Sequence, residues 1–71
     1  MDIDLTILSD EEFAVLIREF HQYDTTGFIQ DDMELAKYRD RYFDKYGGSC
    51  LICMEREFFR ELMRRYLQEN D

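Results

Sequence analysis

The sequence predicts an all-α fold, a compact three-helix bundle with an extended N-terminal arm. Three observations lead there. Ser9 and Glu12 make a capping box at the head of a segment with helical apolar spacing. The pair Gly47-Gly48 separates two further segments of that period. Strand character is confined to two short pieces, residues 3–7 and 27–29.

The arm comes first. Ile3, Leu5 and Ile7 alternate with Asp4 and Thr6, a strand period. Gly27-Phe28-Ile29 is the other β-like piece. Either residues 3–7 make a minimal β pairing with 27–29, or residues 1–8 lie extended across the helices.

The first helix is expected over residues 10–22. Ser9 caps it, Leu8 and Phe13 form a hydrophobic staple, and Phe13, Leu16, Ile17 and Phe20 share one face. Asp10, Glu11 and Glu12 fall in its first turn, where the helix dipole favours negative charge. Residues 24–27, Asp-Thr-Thr-Gly, read as a turn. The second helix is expected over 32–46, with Asp31 as N-cap and Glu34 as its capping-box partner. Leu35, Tyr38, Tyr42 and Tyr46 occupy one face, and the glycine pair ends the helix. The third helix is expected over 50–68 with Ser49 as N-cap. Apolar pairs from Leu51-Ile52 to Tyr66-Leu67 recur along it, and Glu61 with Arg65 forms an i, i+4 ion pair in the favourable order.

Seventy-one residues make one domain, 1–71. So short a chain buries only about 60% of its unfolded surface. Its eleven aromatics enlarge a small core, and homodimer formation would add to it. The opening segment, Met1 to Asp10, is acidic and lacks the apolar core of a signal peptide, and no apolar run approaches the roughly 20 residues of a membrane span. The expectation is a cytoplasmic protein.

The net charge is −8. Residues 1–34 hold ten acids and one base, a net of −9, while residues 35–71 hold seven acids and eight bases, a net of +1. Such a field repels nucleic acid and membrane surfaces and attracts basic partners.

Cys50 and Cys53 form a Cys-x-x-Cys at the start of the third helix. A redox pair of that spacing sits after a strand in an α/β domain, and zinc needs four ligands. One chain supplies two cysteines and a single histidine, His21. Small apolar packing is the expected role. Around this pair, Phe43, Asp44, Gly47, Gly48, Leu51 and Met54 resemble the attachment motif of peptidyl and acyl carrier domains, whose serine bears a phosphopantetheine arm. Here Cys50 stands in the place of that serine, and Ser49 is one position early. Residues 22–33 resemble an EF-hand calcium loop in cadence, with Gly27 at loop position 6 and Asp24 at position 3. Met33 stands where the bidentate acid belongs, and Glu34 is one residue late. A degenerate carrier-like or EF-hand-like helical domain is thus one alternative. A small nucleic-acid-binding regulator is another, because Arg56, Arg60 and Arg64 recur at i, i+4 and i+8, although Glu55, Glu57 and Glu61 interleave with them. His21 has no evident nucleophile near it in sequence, so no catalysis is expected.

The favoured expectation is a non-catalytic protein-binding module, a small acidic regulator or inhibitor without a cofactor. Asp10, Glu11, Glu12, Asp31, Asp32 and Glu34 would match a partner's basic surface, and Tyr38, Tyr42 and Tyr46 would anchor it. By composition the chain is similar to the acidic phage and mobile-element inhibitors of nucleic-acid enzymes, including DNA mimics and anti-CRISPR proteins.

Overall fold

The computed structural model describes residues 3–69. Over these residues the chain is all-α, with no strand. There are three α-helices, α1 (Asp10–Thr26), α2 (Glu34–Tyr46) and α3 (Cys50–Glu69), and two 3-10 turns, Leu5–Ile7 before α1 and Gly47–Ser49 between α2 and α3. The helical elements thus outnumber the three that apolar periodicity suggests.

Over residues 3–8 the extended arm is not formed, nor is its β pairing with 27–29, and residues 1 and 2 lie outside the described residues. Asp4 accounts for this: its carboxylate accepts the Thr6 N–H at 3.0 Å and the Thr6 hydroxyl at 2.5 Å, which curls residues 5–7 into a turn. Those bonds also hold the Asp4 carboxyl below the usual carboxylate range. Leu5 is buried, but Ile7 and Phe28 both face solvent. The alternation read as a strand therefore delivers one buried residue, Leu5, with Ile3 half-buried beside the core and Ile7 turned out.

α1 begins as expected. The Ser9 hydroxyl accepts the Glu12 N–H at 3.1 Å, and the Glu12 carboxylate accepts the Ser9 N–H at 3.0 Å. Hydrogen bonding by that N–H lowers the Glu12 pKa. The helix runs a turn further than the sequence suggested. Thr25 and Thr26 direct their hydroxyls to the carbonyls of His21 and Gln22 instead of opening a turn. Gly27, at φ 89°, is the residue that closes it.

α2 starts two residues later than expected and without the Asp31 cap. Met33 is its N-cap residue and makes no side-chain capping bond. The helix stops at Gly47, whose φ of 64° suits glycine. Ser49 is not an N-cap either: it lies in a 3-10 turn that passes into α3 without a break.

The core lies where the three helices meet, and α2 with α3 form the most extensive pair. Leu35, Tyr42, Met54 and Phe58 are its fully buried members. Phe58 is the hub, with Phe13, Phe20, Tyr38 and Tyr42 ringed around it at centroid distances of 5.6–6.3 Å. Burying one such side chain contributes about 1.5–3 kcal/mol, and each ring pair adds about 0.5–1.5 kcal/mol.

Candidate functional site

The six expected partner-binding acids come from two helix starts. Asp10, Glu11 and Glu12 open α1, whereas Asp31, Asp32 and Glu34 flank the opening of α2. All six are exposed. Glu12 and Glu34 both line a shallow groove of about 210 Å³ between the two helices, with Val15, Leu16 and Tyr38. Four of the six acids are engaged within the chain, Glu12 through its capping bond from the Ser9 N–H at 3.0 Å and three through ion pairs. Asp10 pairs with Arg65 at 2.7 Å, Asp31 with Arg39 at 3.7 Å and Glu34 with Lys37 at 3.2 Å.

The tyrosine stripe divides. Tyr42 is wholly buried, and its hydroxyl donates to Glu57 Oε1 at 3.1 Å. Tyr46 stacks on it at 6.0 Å and donates to the other oxygen, Glu57 Oε2, at 3.1 Å. Burial, and then the Glu57 charge, push the Tyr42 phenol well above its ordinary pKa, so it stays a neutral donor. Tyr42 therefore belongs to the core, and a partner cannot reach it. Tyr38 is the member of the stripe that lines the acidic groove, with the Arg41 guanidinium 5.1 Å from its ring centre.

Three glutamates organise the molecule in ways the sequence did not reveal. Glu19, midway along α1, accepts the N–H groups of Glu34 at 3.3 Å and Leu35 at 3.0 Å, so α1 caps α2. Glu57 joins α3 to α2 through the two tyrosines. Glu61 is buried and receives bonds from Arg64 at 2.7 and 2.8 Å and from Arg65 at 2.6 Å. The Arg64 bond and then the Arg65 bond overcome the opposing effect of burial and hold its pKa at about 2. Arg65 then reaches on to Asp10 and to the backbone carbonyls of Leu5 and Leu8, with its guanidinium over the Phe13 ring. The i, i+4 spacing of Glu61 and Arg65 was visible in the sequence, but its long-range half was not.

The remaining motifs take structural places. Cys50 and Cys53 are free thiols, one buried and the other half-buried against the core. Cys50, which stands in the position of the carrier-domain serine, therefore packs inward. Gln22, Asp24 and Thr26, at positions 1, 3 and 5 of the calcium-loop register, lie on α1 instead of in a loop. Among the described residues, no group of three or more His, Cys, Asp and Glu side chains is placed to hold a metal ion. Arg56, Arg60 and Arg64 line a cleft of about 490 Å³ beside the 3-10 turn at Leu5–Ile7, but Asp4, Glu57 and Glu61 share it, so its charge is mixed. No helix among the described residues is long and apolar enough to cross a membrane.

Compared with known proteins, the chain matches no family model, no curated sequence and no solved structure.

Proposed function

We propose that this chain is a non-catalytic protein-binding module, a small acidic cytoplasmic regulator that docks on a basic surface of another protein. The observation that supports this reading is the groove between α1 and α2, where Glu12 and Glu34 flank Val15, Leu16 and the Tyr38 ring. A partner's lysine or arginine would lay its aliphatic stem on the exposed Val15 side chain. Its cationic head would sit between the carboxylates, beside the Tyr38 ring that Arg41 already covers. Glu11 and Asp32, exposed nearby in sequence, extend the negative field and speed encounter with a basic patch. In its finer form the proposal is an inhibitor of a nucleic-acid enzyme, because a surface that attracts lysines and arginines competes for the groove that takes phosphates.

The test uses an oligolysine peptide as the probe and the double variant E12Q/E34Q. Glutamine at position 12 keeps the capping box, so the fold is preserved. The wild type should bind with an affinity that falls as salt rises, and the variant should bind at least about fivefold more weakly with a shallower salt slope. Equal affinities and slopes for the two proteins would remove the groove from the reading. Capture from the native host, with a basic partner retained by wild type and lost by the variant, would then identify what it regulates.

A further inference from the structure

The second half of α3 is built inside out. Its inner face buries an ion pair, Glu61 at 5% exposure with Arg65. Its outer face carries Phe59, Leu62, Met63, Tyr66 and Leu67, between 40% and 64% exposed. These positions follow the i, i+3, i+4, i+7, i+8 rhythm of a single continuous stripe. Together they line an apolar depression of about 370 Å³.

We propose that this stripe is the interface of an antiparallel homodimer, in which α3 packs on α3 of a second copy about a two-fold axis near Met63. Area is the first argument. Five side chains so exposed present on the order of 500 Å². Two such faces bury on the order of 1,000 Å² when paired, the size at which specific interfaces begin. Charge is the second. A second copy of a −8 chain is repelled almost everywhere, but the excess acid lies in residues 1–34. α3 itself carries four glutamates and four arginines, so two copies can approach there without net repulsion. The third argument is self-complementarity, which a two-fold interface requires. With the axis at Met63, Phe59 of one copy falls opposite Leu67 of the other, and Arg60 opposite the Tyr66 ring. Pairing would also supply buried apolar surface that so small a core lacks.

Sedimentation equilibrium of the full chain from about 1 μM to about 500 μM tests this. The wild type should pass from monomer to dimer within that range. M63E places two carboxylates face to face at the axis and should weaken dimerisation at least about 100-fold. Met63 is half exposed in the monomer, so its circular dichroism should be unchanged. F43E puts the same charge on Phe43, an exposed aromatic of α2, and should dimerise like wild type. L67K repeats the test should M63E fold poorly. A wild type that stays monomeric throughout overturns the proposal. So does an M63E chain, or in its place an L67K chain, that dimerises like wild type, or an F43E chain that loses the dimer with it.

Discussion

α1 and α2 begin in opposite ways. α1 is capped locally: Ser9 and Glu12, three residues apart, satisfy each other's backbone N–H groups. α2 is capped from a distance, by Glu19 reaching across from α1 to the N–H groups of Glu34 and Leu35. A local cap can form as soon as its own turn forms. A borrowed cap exists only once two helices have packed, so it ties the start of α2 to the tertiary fold. The α1 start has a distant tie as well, through Arg65, but there the tie reinforces a cap already in place.

That distant tie should show the largest effect when cut. Arg65→Met removes the cation from a buried carboxylate, two backbone carbonyls and Asp10 at once. We expect a loss of about 3 kcal/mol in urea unfolding, with Arg64 still neutralising part of Glu61. Acid reaches the same contact. Folding holds Glu61 below its ordinary pKa of 4.5, at about 2, so the unfolded chain binds more protons in that interval. Its contribution is fully present above pH 4.5 and is lost as the pH falls towards 2. E61Q should flatten stability across this window, and a profile as steep as wild type would rule out the contact as its source.

Glu19→Ala ranks second. It strips the acceptor from two N–H groups, one of them on the fully buried Leu35, at an expected cost of about 2 kcal/mol. Amide exchange should rise first at residues 34 and 35, while the start of α1 stays protected. Ser9→Ala should cost about 1 kcal/mol, with faster exchange at the Glu12 amide and no change in α2. If the two variants loosened the same amides, the distinction between a local and a borrowed cap would collapse.

The same distinction separates what the sequence disclosed from what it hid. The Ser9 box, the Leu16 and Phe20 face and the Gly47 stop are written within a few residues, and each was readable. Glu19 is only one of the ten acids of residues 1–34 when read along the chain, because its partners lie fifteen and sixteen residues on. Tyr38, Tyr42 and Tyr46 share a helical face, and only packing decides that the middle one is sealed in the core. Asp4 and Thr6 could have been read as a local turn, but the alternation of Ile3, Leu5 and Ile7 masked it. Of the expected site, the acids were legible as a field. That Glu12 and Glu34 converge on Tyr38 depends on how α1 crosses α2, which no short-range pattern records.

Asp31 supplies the smallest and most discriminating test. A cap read from spacing assigns it the start of α2, with Glu34 as its partner, and an aspartate in that role is worth about 1 kcal/mol. In the fold its side chain is 96% exposed and makes an ion pair with Arg39 at 3.7 Å. A pair so exposed contributes little. Asp31→Ala should therefore shift stability by no more than about 0.5 kcal/mol, well below the loss from Glu19→Ala. The ratio of the two effects is the deciding quantity, since both variants remove one acid near the same helix start and change the net charge equally. A loss at Asp31 equal to that at Glu19 would return the cap to the position where spacing placed it, and the start of α2 would then be as local as that of α1.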